Sequence, residues 1–281
     1  MNRKKILLLG DRGKMGTALD MVFSKEYTII GKNTDNLNAF DLNGVCNVIE
    51  EIVPDIVINT IAFVGIDACD REPQKAFILN SLLPKVLAEL SMDKGFVLIH
   101  FSTEAVFSDR EKYYTESDIP HPVNVYGFTK YGGDCFIQAL AKNYYIFRLP
   151  LLFGEVAKKT QFVEKMLERV RAGEKVLKIS DDIFSSPSYS LDIAFEAKRI
   201  LEEQMPFGLF HLANDGKASL YDLMKEIIGC LNLDVEIHRA SHKDFPSRGI
   251  KNTHVIIRSE KIKPLRDWRE AVKEYCSKIK F

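Results

Sequence analysis

Tyr126-Gly-Phe-Thr-Lys130 sets a phenol and an ammonium four residues apart. On a helix, positions i and i+4 share a face, so both side chains reach one site. A free phenol, with a pKa of about 10, is a poor acid–base at neutral pH, and a neighbouring lysine charge lowers that value. Such a tyrosine can exchange a proton with a carbonyl or hydroxyl while a nicotinamide exchanges hydride. Upstream, Ser102-Thr103 offers hydroxyls that can hydrogen-bond and orient a reacting oxygen. Neither signal is specific alone. A Y-x-x-x-K pair is common on surface helices, and Ser-Thr commonly ends a strand or caps a helix.

Nearer the N-terminus stands Gly10-Asp-Arg-Gly13-Lys-Met-Gly16. Gly10 permits a tight turn, Gly13 the close approach of a pyrophosphate, and Gly16 tight packing of helix on strand. Backbone N–H groups and the positive helix end then hold the diphosphate. A plain connecting turn is the competing reading, and the position of the glycines in the first strand–helix turn weighs against it. The second strand ends Gly31-Lys32-Asn33, with no acid until Asp35. A basic residue there suits the 2′-phosphate of NADP, whereas an acid would bond the 2′-hydroxyl of NAD. Lys32 and Arg12 therefore point to NADP, with NAD the alternative; each could equally be a solvated surface charge.

These groups meet only if the chain carries them to one edge of a sheet. Ile6–Leu9, Tyr27–Gly31, Asp55–Ala62, Phe96–Phe101 and Tyr145–Leu149 read as strands. Met15–Phe23, Pro73–Met92 and Tyr126–Lys142 read as helices. Strands apolar on both faces and alternating with helices predict a doubly wound parallel α/β sheet. The strand-end hydroxyls and the Y-x-x-x-K helix then fall where such sheets bind ligands, outside the carboxyl ends of the strands. Later, Gln161–Ala172, Ser188–Glu203, Leu220–Leu231 (with Ser219 as N-cap) and Glu270–Lys278 read as helices, and Val176–Ile179 and Gly208–Ala213 as strands. Asp244–Pro264 is polar and irregular, as site-lining loops often are.

Lys+Arg and Asp+Glu are both 39, so no overall field favours nucleic acid or an anionic membrane. Five scattered cysteines without a C-x-x-C pair fit free thiols in a reducing cytoplasm. Met1-Asn2-Arg3-Lys4-Lys5 is followed by too short an apolar run for a secretion signal, and no stretch suits a membrane span. His238 and His242 would share a helix face, but further metal ligands are not evident, so no metal is expected. His100, inside a strand, reads as a satisfied core histidine.

On these residues the chain resembles the extended short-chain dehydrogenase/reductases, and among them the dTDP-4-dehydrorhamnose reductase family, over nearly its whole length. The similarity rests on the glycine turn, Val64-Gly-Ile-Asp67, Phe101-Ser-Thr103 with Val106-Phe107, Tyr114-Thr-Glu116, Pro122-Val-Asn-Val-Tyr126-Gly-Phe-Thr-Lys130 and Asp267-Trp268-Arg269-Glu270. The resemblance implies a Rossmann-like domain over residues 1–154, joined by late sheet elements from about 174–214. It implies a smaller α/β substrate part, mainly 155–281, interleaved with it. It implies Thr103, Tyr126 and Lys130 as the catalytic trio, with Ser102 beside them. The cofactor is expected along Gly10, Arg12, Gly13, Lys14, Met15 and Gly16, then Lys32, Asp41-Leu42, the Ala62–Phe63 backbone and Asn80, ending at Tyr126 and Lys130. Substrate contacts are expected from Val64, Ile66, Glu104, Leu151 and Arg248. Here the chain departs from the family pattern: Glu104-Ala105 replaces Asp-Tyr, Val64 replaces threonine, and Leu149-Pro-Leu151 replaces a segment ending in tryptophan. The implied activity is NADPH-dependent reduction of the C4 keto group of a nucleotide-linked 6-deoxy sugar. Alternatives are a non-catalytic nucleotide-binding regulatory subunit, like the related methionine adenosyltransferase β-subunit, or an NAD-retaining epimerase or dehydratase. A homodimer is left open.

Overall fold

The computed structural model describes residues 3–155 and 161–279, so Met1 and Asn2 of the basic start lie outside the described residues. Strand β1 (Lys5–Leu9) leads through the glycine turn to helix α1 (Lys14–Phe23) and strand β2 (Thr28–Lys32). Helix α2 (Leu42–Ile52), strand β3 (Ile56–Asn59), helix α3 (Ile66–Arg71) and helix α4 (Pro73–Phe77) follow. A π turn, Ile78–Leu82, passes into helix α5 (Leu83–Lys94). Strand β4 (Val97–Thr103), helix α6 (Val125–Leu140) and strand β5 (Tyr144–Leu149) complete the first half.

Every one of β1–β5 joins a six-stranded sheet ordered β2-β1-β3-β4-β5 and then β10 (Gly208–His211), all pairs parallel. The order reverses between β1 and β3, which opens a crevice at their carboxyl ends. Both faces are covered, as continuous apolar strands require. Ile6, Leu8, Ile58, Ile99 and Phe147 share one layer with Leu19 and Val22 of α1. Leu7, Leu9, Val57, Leu98 and Ile146 share the other with Val45 and Ile49 of α2, Leu87 of α5 and Ile137 of α6. Alternate residues of each strand thus feed opposite layers.

Between β5 and β10 lie β6 (Leu152–Phe153), α7 (Phe162–Arg171), β7 (Val176–Ser180), β8 (Phe184–Ser185), β9 (Ser188–Tyr189) and α8 (Ser190–Glu202). After β10 come β11 (Ala218–Ser219), α9 (Leu220–Cys230), β12 (Glu236–Ala240) and the closing α10 (Trp268–Lys278). Ser219 caps α9 in a reciprocal capping box with Asp222, as its position predicts. Of the late strands expected in the main sheet, only β10 joins it. Val176–Ser180 instead pairs with β12 in a separate two-stranded sheet.

Three other expectations change. The Asp55–Ala62 strand ends at Asn59, because the chain leaves the sheet where its side chains begin to bond the following backbone. The Pro73–Met92 helix is interrupted by the π turn. Helices α2 and α3 are additions; α2 carries an N-cap, Asp41, and a buried i, i+4 pair, Val45 and Ile49. His238 lies on β12 and His242 begins a short 3₁₀ turn against Asp182, so the two share no helix face. Among the described residues there is no group of three or more potential metal ligands, and no helix is long and apolar enough to cross a membrane.

Candidate active site

The glycine turn hugs the sheet. Gly10, at φ +88°, donates its N–H to Lys32 O at 2.7 Å. A Cβ on Gly16 would stand 2.1 Å from Gly10 O, so α1 can start this close to the strand only with glycine there. At Gly13, the N-cap of α1, a Cβ would find only Gly10 O within 4 Å, which leaves its outer side open to an incoming group. Arg12 reaches across to an ion pair with Asp35, and Asn33 donates to Asp11 at 2.9 Å, so the turn and the end of β2 form one polar rim. This open cradle at a helix N-terminus fits a dinucleotide diphosphate. Gly16→Ala is expected to cost about 1–3 kcal/mol through backbone overpacking, read as weaker NADPH binding by fluorescence titration together with a lower melting temperature. Unchanged values of both would refute the close-approach argument.

Lys14, expected at the cofactor, turns the other way. Its side chain is buried, 2.9 Å from Glu164 of α7, and donates to Leu152 O at 2.9 Å. Burial lowers its proton affinity and Glu164 opposes that shift. It fastens the turn to the later half of the chain. Met15 is likewise buried. Asp41 accepts from Gly44 N–H at 3.0 Å as the cap of α2, with Leu42 as the first helical residue.

Asn80 sits in the π turn, and its amide is fully occupied. Its Oδ1 accepts from Phe63 N at 2.8 Å, and its Nδ2 donates to Phe63 O and to Thr129 Oγ1, each at 3.0 Å. It therefore fixes the Ala62–Phe63 backbone against α6. A π turn at a position with this task matches the tendency of such turns to fall at functional sites.

Thr103 ends β4, and its Oγ1 accepts from Ala105 N–H at 3.2 Å. Asn124 caps α6 by accepting from Gly127 N–H at 2.9 Å, which places Tyr126 and Lys130 on the first turns of that helix. Tyr126 lies beside Thr103, whose side chain draws the proton affinity of the phenol down. Lys130, only 1% exposed, donates to Phe101 O at 2.7 Å and lies 3.2 Å from His100 Nε2. The predicted trio thus converges at the carboxyl end of β4. Ser102 is buried beside it, its hydroxyl without a partner among the described residues.

The electrostatics differ from the simple expectation. Burial pushes Tyr126 up to about 12, against the downward pull of the Thr103 side chain. Burial brings Lys130 down to about 8, against the attraction of Asp134. Desolvation, rather than the lysine charge, dominates the phenol. At neutral pH Tyr126 consequently holds its proton, as a proton donor must.

Two walls flank the trio. On one, Ser185 Oγ donates to both Glu104 oxygens at 2.8 and 3.0 Å and accepts from Leu151 N–H at 3.2 Å. Burial raises the Glu104 carboxyl to about 8, so it is mostly neutral at neutral pH. On the other, Asp67 accepts from Ser247 Oγ at 2.9 Å and from Arg248 N–H at 2.8 Å. That contact lays the 247–249 loop on α3. Ile66 packs beside Gly249, Arg248 Nε stands 3.7 Å from Asp70, and Val64 is exposed. Asn124 Nδ2 donates to Ile250 O and Asn252 Oδ1, each at 2.9 Å, which pins the late loop to the start of α6. The five substrate-side residues thus divide into Glu104 with Leu151, and Val64 with Ile66 and Arg248. Ser185 and the dual role of Asn124 were not read from the sequence. An Asn three residues before Gly127 was a legible N-cap signal, whereas nothing local marks Ser185.

The family model described as the RmlD substrate binding domain matches residues 4–281. The dTDP-4-dehydrorhamnose reductase of Mycolicibacterium smegmatis is 28% identical, over 98% of this chain and 86% of the relative. Among solved structures, a dTDP-4-dehydrorhamnose reductase from Clostridium acetobutylicum superimposes with a TM-score of 0.90 at 28% identity, covering 97% of this chain and 98% of that one. The dTDP-4-dehydrorhamnose reductase of Bacillus anthracis, in complex with NADP, gives 0.92 at 25% identity, covering 99% and 100%.

Proposed function

The chain belongs to the family of the RmlD substrate binding domain, and from that premise we propose that it is an NADPH-dependent reductase of the C4 keto group of a dTDP-linked 6-deoxy sugar. The observation that carries this reading is the convergence of Thr103, Tyr126 and Lys130 at the end of β4, on the same sheet edge as the glycine cradle. Relatives of matching length bear the reductase name, and one was solved with NADP.

In this reading, bound NADPH supplies the hydride. The glycine turn would hold the diphosphate with backbone N–H groups, and Arg12 and Lys32 would supply positive charge for the ribose phosphate. Asn80 keeps in place the Phe63 backbone that would border the cofactor. Tyr126 donates its proton to the carbonyl oxygen as charge develops there, and Thr103 orients that hydroxyl and the substrate oxygen. Lys130 holds its position behind the phenol through Phe101 O. Glu104 and Leu151 line one side of the sugar, and Val64, Ile66 and Arg248 the other. A reducing, cytoplasmic setting belongs to the same reading and is supported by five free cysteines.

The test is loss of NADPH absorbance with a panel of nucleotide-linked 4-keto-6-deoxy sugars, with NADH in parallel. Turnover with a dTDP-linked ketone and NADPH is expected. NADPH binding without turnover on any member would overturn the reading in favour of a regulatory subunit.

A further inference from the structure

Behind the trio lies a buried polar relay that the reaction as described does not use. Asn59, the last residue of β3, and His100, in the middle of β4, are both fully buried. Asn59 Oδ1 accepts from Ile61 N–H at 3.1 Å, and its amide nitrogen lies 3.1 Å from His100 Nδ1. The other ring nitrogen, Nε2, lies 3.2 Å from Lys130 Nζ.

Hydrogen accounting restricts this relay. Ile61 N–H is a donor, so it fixes the Asn59 oxygen on its own side and turns the amide NH₂ toward His100. An NH₂ group only donates, so Nδ1 must be the acceptor. A neutral imidazole then carries its proton on Nε2. That N–H points at Lys130. It makes a hydrogen bond if Lys130 is an amine with a free lone pair, and it crowds a donor if Lys130 is an ammonium. Charging the ring does not relieve the conflict, because a proton on Nδ1 would face the Asn59 NH₂. Full burial also disfavours the charged ring and holds His100 well below its ordinary range.

We propose that Asn59 and His100 are a positioning pair for Lys130: Asn59 selects the Nε2–H tautomer of His100, and that tautomer favours the amine form of Lys130. The relay begins at Ile61, next to the Ala62–Phe63 backbone, so that backbone and the lysine are joined through two buried side chains. The charged and titratable groups that act on it are His100 and Lys130 on each other and Asp134 on α6, itself paired with Arg148 on β5. Of these, Asp134 favours the ammonium, so the relay and Asp134 pull Lys130 in opposite directions.

Asn59→Asp tests the pair with almost no change of shape. A carboxylate still accepts from Ile61 N–H, but it also accepts from Nδ1, so the ring proton moves to Nδ1 and Nε2 becomes an acceptor for the ammonium. In the full-length protein labelled with ¹⁵N-histidine and ¹³C-lysine, NMR should find His100 as the Nε2–H tautomer. In Asn59→Asp it should find the Nδ1–H tautomer, with the Lys130 titration midpoint raised by about one pH unit or more. His100→Met, which removes the ring without adding charge, should also raise that midpoint and covers the case in which a buried aspartate prevents folding. An Nδ1–H tautomer in the unmodified protein, or a Lys130 midpoint that moves in neither variant, overturns the proposal. The proposal rests on the reductase reading only for its kinetic consequence, an alkaline limb of kcat/KM that moves with the Lys130 midpoint. If the NMR midpoint moves and that limb does not, the relay stands and the charge of Lys130 plays no part in the reduction.

Discussion

Tyr126→Phe lowers kcat for ketone reduction by about 10²–10⁴-fold, the range for loss of a positioned general acid, while NADPH binding stays close to that of the unmodified protein. The reason is local. The phenol is the hydroxyl that meets Thr103 at the end of β4, and burial raises it to about 12, so it enters the reaction protonated. Without it, negative charge on the carbonyl oxygen has Thr103 as a hydrogen-bond donor but no proton source. The ring keeps its packing in the variant, so stability should change little. Single-turnover reduction alongside an NADPH fluorescence titration separates chemistry from binding. Near-native turnover in Tyr126→Phe would mean that another group delivers the proton.

Arg148→Met destabilises the fold by about 3–5 kcal/mol, the cost of leaving a buried charge without its partner. Arg148 on β5 donates from Nε to Asp134 of α6 at 3.0 Å, and the two side chains are 3% and 0% exposed. The Asp134 carboxylate has its other oxygen buried without a hydrogen-bond partner among the described residues, so loss of the guanidinium strands it. Replacing both together, Arg148→Met with Asp134→Leu, should recover much of that loss, because it removes the charge as well as its partner. Urea unfolding of the two variants measures the difference. If the single variant loses less than the double, the pair is not what holds α6 to β5. The same pair bears on the site, since Asp134 is the group that favours the charged form of Lys130.

Much of the site was readable as a conjunction. Tyr126 and Lys130 share a face because a helix repeats every 3.6 residues, and Thr103 lies near them because a hydroxyl ending a strand of a parallel sheet faces the ligand edge. Those relations are local or topological, and sequence carries both. Lys14 shows the limit. It stands inside the glycine motif, yet it points at Glu164, a residue 150 positions away that no local pattern links to it. Asp41, expected at the cofactor, also caps a helix whose start its own residue type signals.

Strand alternation, glycine spacing and the Y-x-x-x-K helix by themselves determined the doubly wound sheet and which candidate proton-handling groups share one face, because each depends on backbone geometry repeated over a few residues. Only the tertiary structure decided what those groups carry. Desolvation set the proton affinities of Tyr126, Lys130 and Glu104, and burial is a sum over the whole fold. Only the fold, too, set Ser185 against Glu104, the late loop against Asn124, and Asn59 and His100 behind Lys130. Those contacts join residues tens of positions apart, and their hydrogen-bonding demands are met only once the chain has closed around them.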